Sequence, residues 1–317
     1  GADFLYSVIL TEALGRTGNT VLAAPLHSDI VVPYISSFAS EELKKKYLPG
    51  CVSGELITAV AMTEPNAGSD LAAIRTTAVE DGDDIVINGQ KTFISNGLNC
   101  GLVVVATKDP STENPYQAID LYLVEEKTPG FERGKRIKKV GWHSQDTAEL
   151  FFSDCRIPKG NRLGQKGGGF MMLMEKLQQE RLMCCIIAVA AAERMLEMTI
   201  QYCRDRTAFG RPLTKFQNTQ FKIVEMATEI RLGRTFVDKL IVDHMEGANV
   251  VVNVSMGKYW TSEMAMRVAD QCVQLHGGYG YCEEYPIARA WRDARVLSIF
   301  AGTSEIMKGI AAKFMGL

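Results

Sequence analysis

Two short stretches of this chain hold residues that could do chemistry. The first is VAMTEPNAGSD at 60–70, where the apolar run Leu56, Ile57 and Val60 stops at Thr63-Glu64-Pro65 and small, turn-forming residues follow. Pro65 has no backbone N–H and drives Glu64 out of helical geometry, while Gly68 can take a positive φ. Such a turn exposes backbone amides and the Thr63 and Ser69 hydroxyls, which suit a heterocycle edge or a phosphate. It describes a plain strand-to-loop exit equally well. The second stretch is Glu180-Arg181, at the head of the apolar run 182–192. A carboxylate beside such a run is partly desolvated, and its pKa rises toward that of a useful base. A solvated surface pair is the competing reading.

Bulk composition narrows the classes. A net charge of −2 gives no electrostatic case for nucleic acid. The basic cluster Arg133, Lys135, Arg136, Lys138 and Lys139 reads as a solvated strand face, or as a patch for an anionic ligand or acidic partner. The eight cysteines include no CxxC pair and the four histidines no HExxH. No metal site is therefore expected, and the scatter suits reduced thiols in a soluble, intracellular protein. The run 182–192 is too short to span a bilayer, and no signal peptide is visible.

The elements that must position these residues fall into three regions: 1–54, 55–160 and 161–317. In the first, Phe4, Leu5, Val8, Ile9 and Leu14 recur at helical spacing, and Ser40-Glu41-Glu42-Leu43-Lys44 begins like a capped helix. In the second, the strand-like runs 102–106, 119–124 and 150–152 are separated by turn signals that include Asp81-Gly82 and Asn88-Gly89. Pro158 and GQKGGGF (164–170) close that block. In the third, 170–203, 216–245 and 251–275 are long apolar-periodic helices, with a short last helix from about Thr303. The expected class is α+β: an N-terminal helical part, a central β-barrel or sandwich, and a C-terminal antiparallel four-helix bundle. The Gly-rich stretches fail the GxGxxG spacing of a nucleotide-binding βαβ unit, so any dinucleotide must be held another way.

Further segments join the first: KTFISNG (91–97), QDTAELFFSDCRIP (145–158), QQERL (178–182), RDRTAFGRP (204–212), KYW (258–260), QLHGGYGYCEEYPIARAWRDAR (274–295) and AGTSEIM (301–307). In type and order they resemble the motifs of the acyl-CoA dehydrogenase flavoproteins. The likeness leans to the long-chain members, with the isovaleryl type second. A flavin oxidase on the same fold and a non-catalytic acyl-CoA or flavin-binding scaffold are the rivals from other classes. The chain starts at a point inside that family's N-terminal helical domain, so the resemblance implies that its first few helices are missing. It also implies FAD as cofactor, an acyl-CoA substrate oxidised to the trans-2-enoyl-CoA, and electron-transferring flavoprotein as acceptor. A homotetramer, built as a dimer of dimers, is implied too. Bacterial cytoplasm and mitochondrial matrix fit alike.

Many members carry the base immediately before Gly-Thr-Ser, where this chain has Ala301. The long-chain and isovaleryl types carry it instead in a segment like QERL, which assigns Glu180 as the base here. The resemblance leaves the Ala301 backbone N–H to hydrogen-bond the thioester oxygen. By the same likeness Met62, Thr63, Ser69, Phe93, Ile94 and Ser95 border the flavin. Arg206, Phe209, Gln217, Gln274, Gly277 and Gly278 reach the FAD of a neighbouring subunit, and Thr303 and Glu305 open the last helix at a cofactor position. Ser69, Gln178, Gln179, Arg181 and Gly302 match substrate contacts. Phe93 stands where many relatives have Trp, and Ala208 replaces a usual hydroxyl. His276 reads as a packed loop residue.

Overall fold

The computed structural model describes residues 2–17 and 24–317. The chain divides into two compact units. One contains helix α1 (Phe4–Thr17), Val140–Trp142 and Gln178–Leu317; the other contains the described residues from 24 to Lys139 together with His143–Leu177.

The second unit is a sheet covered by helices α2 (Val32–Phe38) and α3 (Glu41–Ser53). The Ser40 hydroxyl accepts from the Leu43 N–H at 3.3 Å and starts α3 as its side-chain cap. Ahead of α2, Leu26–Val31 winds as a π-helix. Pro33, at the start of α2, has no N–H to give the preceding turn, which removes one α-type bond there.

Seven strands follow: β1 (Thr58–Ala61), β2 (Thr77–Asp81), β3 (Asp84–Ser95), β4 (Leu102–Lys108), β5 (Ile119–Glu125), β6 (Phe131–Arg136) and β7 (Thr147–Pro158). They are ordered β1-β4-β2-β3-β7-β6, with β5 paired to β4, as a middle β half-barrel. On β4, Leu102, Val104 and Ala106 enter the core that holds Tyr34 and Ile35. Val103 and Val105 enter a second core with Ile85, Ile87 and Val124. Both faces of the strand are buried, and its sequence is therefore an unbroken apolar run rather than an alternation.

Two local expectations fail in instructive ways. Asp81-Gly82 turns the β2–β3 hairpin, with Gly82 at φ 63°, as expected. Asn88-Gly89, expected as a second turn, lies inside β3 at a register shift against β7. A Cβ on Gly89 would lie 2.5 Å from the Thr76 hydroxyl, so this glycine serves a bulge and a close approach. Gly68 is not left-handed. The turn before it closes instead by reciprocal Glu64–Ala67 backbone bonds of 2.9 and 3.1 Å.

Helix α4 (Gly169–Asp205) contributes its first residues, through Leu177, to the sheet unit and the rest to the helical unit. There it is joined by α5 (Gln217–Met245), α6 (Val251–His276), α7 (Pro286–Ala294) and α8 (Ser304–Phe314). Leu182, Ile186, Val189, Val237, Leu240, Val254, Met264 and Val268 form their common core. Helix α7 and the two-residue hairpin strands β8 (Thr207–Ala208) and β9 (Arg211–Pro212) have no counterpart in the sequence reading. All eight cysteines are unpaired, and among the described residues no cluster of side chains could hold a metal ion. No described helix is long and apolar enough to cross a membrane.

Candidate active site

The residues best placed for chemistry converge in the helical unit. Glu180 and Arg181 are successive residues of α4, so their side chains leave the helix about 100° apart. Arg181 is buried and donates from Nε to the Ala301 carbonyl at 3.2 Å. Lys258, fully buried on α6, donates from Nζ to the Gly302 carbonyl at 2.6 Å. Ala301 and Gly302 are both left-handed, at φ 53° and 100°. A Cβ on Gly302 would come within 2.5 Å of the terminal methyl of Met307, which can turn aside, so it is the backbone angle at 302 that calls for glycine. The Ala301 N–H has no acceptor among the described residues.

The Glu180 Oε2 is buried and lacks a hydrogen-bond partner among the described residues. Burial raises the Glu180 pKa to about 7, against the opposing pull of the Arg181 and Lys258 charges. A carboxylate at that value is largely neutral in acid and ionised just above neutrality, the range a general base needs. Cys184, one turn further along α4, has its thiol pushed up to about 12 by burial and is no nucleophile at neutral pH. Gln179 shares a 3.3 Å contact between Oε1 and His244 Nε2, and Gln178 is half-buried nearby in sequence.

A second group of expected residues lies in the sheet unit, on the exits of β1 and β3. The Thr63 hydroxyl donates to the Thr92 carbonyl, and the Thr92 N–H donates to the Thr63 carbonyl at 2.9 Å. Lys91, fully buried, donates to the Met62 carbonyl at 3.0 Å and to Glu64 Oε1 at 2.8 Å. Glu64 also accepts the Arg75 and Thr76 N–H groups. Burial lowers the Lys91 pKa to about 8 against the raising effect of Glu64. Between Lys91 and Ile94 the β3–β7 register shifts, and Phe93 stands there at φ 59° with 67% of its surface exposed. An aromatic ring held outward by a bulge fits the flat face of a flavin. Ser95 is half-buried and Ser69 exposed, whereas the Ile94 side chain is in the core, so only its backbone is available.

The remaining expected positions lie on the open surface of the helical unit. Arg206, Phe209, Gln217, Gln274, Gly277 and Gly278 are all exposed, Phe209 at 96%. Nothing lies within 4 Å of a Cβ built on Gly277 or Gly278. Gly277, at φ 62°, is required by its own backbone as the cap of α6, whereas neither packing nor a left-handed backbone dictates Gly278. Thr303 and Glu305 border a depression of about 590 Å³ that also has Arg267 and Arg295 in its wall. Thr303 caps α8 through the Ile306 N–H, and the buried Ser304 hydroxyl beside it has no partner among the described residues. The wall also carries Glu263 and Asp270, and Arg267 is paired with Glu229, so the depression holds both signs of charge, with the α8 N-terminus and the orphaned Ser304 hydroxyl as its free donors. His276 is buried, stacked on Tyr202 with ring centroids 4.2 Å apart.

Sequence reasoning passed over Lys258 and Lys91. Both had a signal: each is a lysine inside a segment whose pattern places it on a buried face, and such lysines are rare unless paired.

The chain matches three family models: "Acyl-CoA dehydrogenase, N-terminal domain" over residues 1–55, "middle domain" over 59–155 and "C-terminal domain" over 167–316. It is 45% identical over 314 residues to the mitochondrial long-chain specific acyl-CoA dehydrogenase of Sus scrofa, covering 99% of this chain and 73% of that protein. Among solved structures it is similar to acyl-CoA dehydrogenase from Geobacillus kaustophilus, with TM-score 0.98, 57% identity, and coverage of 100% of this chain and 83% of that one. Butyryl-CoA dehydrogenase from Megasphaera elsdenii matches at TM-score 0.95 and 34% identity, with the same coverage.

Proposed function

Because the chain belongs to the acyl-CoA dehydrogenase family of FAD-dependent oxidoreductases, we propose that it oxidises long-chain fatty acyl-CoA thioesters, with Glu180 as the base. The observation that carries the assignment is the buried, unpartnered Glu180 oxygen, whose carboxyl interacts with the charges of Arg181 and Lys258, the two residues that hold the Ala301-Gly302 turn. Ala301 itself has no side-chain base to offer.

FAD held by this chain would supply the acceptor for the β-hydrogen, which leaves as hydride. Glu180 takes the α-proton, and the electron pair left behind completes the Cα=Cβ double bond. The α-proton of a thioester is weakly acidic, so charge building on the carbonyl oxygen must be met by a fixed donor. The Ala301 N–H has that task, and its turn is held by Arg181 from behind. Removing one donor of this kind in other enzymes costs roughly 3–4 kcal/mol of barrier. Met62, Thr63, Ser69, Phe93, Ile94 and Ser95 hold the flavin ring. Thr303 and Glu305 border the rest of the cofactor. Ser69, Gln178, Gln179, Arg181 and Gly302 contact the substrate.

Arg206, Phe209, Gln217, Gln274, Gly277 and Gly278 contact the FAD of a neighbouring copy in a homotetramer, which accounts for their exposure in a single chain. Electrons pass on to electron-transferring flavoprotein. The long-chain preference is supported by the 45% identity to the long-chain specific enzyme, while isovaleryl-type branched substrates are the alternative.

Anaerobic titration of the purified flavoprotein tests the reading. Palmitoyl-CoA bleaches the oxidised flavin band and isovaleryl-CoA does not, and Glu180→Gln abolishes the bleaching while retaining bound FAD. Bleaching by isovaleryl-CoA alone overturns the chain-length assignment, and a Glu180→Gln variant that still turns over overturns the base.

A further inference from the structure

Lys258 is a buried cation with no carboxylate in ion-pair contact among the described residues. Its one hydrogen bond goes to a backbone carbonyl, that of Gly302. A lysine loses side-chain freedom and hydration when buried, and an isolated carbonyl seldom justifies that. The carbonyl it meets belongs to the second of two consecutive left-handed residues, and the carbonyl of the first is held by Arg181. The two cations thus grip successive peptide groups of one turn, one from α4 and one from α6. On the far side Thr303 fastens the turn to α8 by accepting the Ile306 N–H. The two peptides that follow Ala301 are thereby fixed, and the peptide that carries the Ala301 N–H joins them through Ala301 itself, whose φ of 53° lies in the narrow left-handed well open to a residue with a Cβ. That N–H is the donor that no described group uses.

We propose, resting on the proton-abstraction reading above, that Lys258 is a positioning residue: by holding the Gly302 carbonyl it locks the Ala301-Gly302 turn and aims the Ala301 N–H at the substrate's thioester oxygen. Its charge, facing Glu180 together with Arg181, also keeps that carboxyl from rising further than burial alone would carry it. Lys258 acts through the turn and touches neither substrate nor cofactor.

The test uses the FAD-loaded enzyme with Lys258→Met, which keeps length and burial but removes donor and charge. The expected result is a fall in kcat of roughly tenfold or more with KM changed less than threefold, a donor-loss pattern. A substrate-bound readout separates positioning from general damage. The carbonyl stretch of bound trans-2-hexadecenoyl-CoA, labelled with ¹³C at C1, moves to higher wavenumber in the variant because the oxygen is less polarised. Lys258→Arg, which keeps a donor and a charge, restores part of the rate and part of the shift. An unchanged stretch and kcat in Lys258→Met overturn the proposal, provided Glu180→Gln is inactive. Should Glu180→Gln remain active, the base assignment has failed instead. If the Met variant does not fold, Lys258→Arg decides: a stretch and kcat identical to the parent's overturn the positioning role, and an intermediate shift with intermediate kcat supports it.

Discussion

Replacing Glu180 by glutamine should make the protein inactive and, in alkaline buffer, more stable. Glutamine is close in shape to the protonated acid, so the comparison isolates the cost of the buried charge. Burial moves the carboxyl from 4.5 to about 7. A carboxyl raised in the folded state stabilises the fold below its unfolded pKa relative to higher pH, and that contribution is lost as pH climbs toward the folded pKa. At about 1.4 kcal/mol per tenfold, the wild type has lost about 1 kcal/mol at pH 5 and about 3 kcal/mol at pH 8.5. The variant has no such loss, so its advantage grows by about 2 kcal/mol between the two pH values. For a chain of this size that corresponds to a Tm difference of about 3 °C. Any fixed cost of the new amide cancels, because it is present at both pH values.

The measurement is thermal unfolding of both proteins at pH 5 and pH 8.5, with FAD in fixed excess because bound ligand raises Tm by mass action. A Glu180→Gln advantage that is equal at the two pH values, or larger at pH 5, would refute the claim that Glu180 is ionised in a desolvated site.

Three further outcomes follow from the same geometry. The kcat/KM for palmitoyl-CoA, read as anaerobic flavin bleaching, should rise about tenfold from pH 6 to pH 8 as Glu180 ionises with a pKa of about 7; a limb below pH 5 would mean that the base is solvated. Gly302→Ala forces a Cβ to 2.5 Å from the Met307 side chain at φ 100°, which should cost about 1–3 kcal/mol and most of kcat. Adding Met307→Ala should relieve the clash only, and full recovery would show that the backbone angle is unimportant. Lys91→Met strands Glu64 in the core of the sheet unit and should cost about 3–5 kcal/mol in urea unfolding with loss of retained FAD, whereas Lys91→Met with Glu64→Gln should recover part of both.

What the sequence disclosed followed from how local each signal is. The α3 start was legible because Ser40 caps its own helix, and the β4 and β5 runs because strands buried on both faces read as continuous apolar stretches. Gly89 was misread because a glycine needed for close approach to Thr76 looks, in one dimension, like a glycine needed for a turn. Gly68 was misread for the converse reason: the preceding turn closes through Glu64 and Ala67 without it. Helix α7 is only nine residues long, too short for periodicity to stand out. The apolar run contiguous with Glu180 left a solvated surface pair as the stronger reading, and only the likeness of QERL to a family motif, together with Ala301, singled this carboxylate out. Lys258 could not be singled out, since its partner, the Gly302 carbonyl, is 44 residues away and belongs to the backbone.

The arrangement explains why an alanine can stand at position 301. A carboxylate there would hang from a left-handed turn whose geometry must also aim an N–H, so one strained residue would carry two precise tasks. In this chain the tasks are divided. The proposed base, Glu180, sits on α4, a 37-residue helix whose backbone is fixed by its own hydrogen bonds, and catalytic groups on such elements are held more tightly than on loops. On this reading the turn keeps only the backbone donor, so its side chain can shrink to a single methyl. The two are then coupled by adjacency: Arg181, the residue next to the base, holds the Ala301 carbonyl. A shift of α4 that moved Glu180 would pull the turn with it, so base and N–H donor keep their spacing under motions that would separate independently mounted groups.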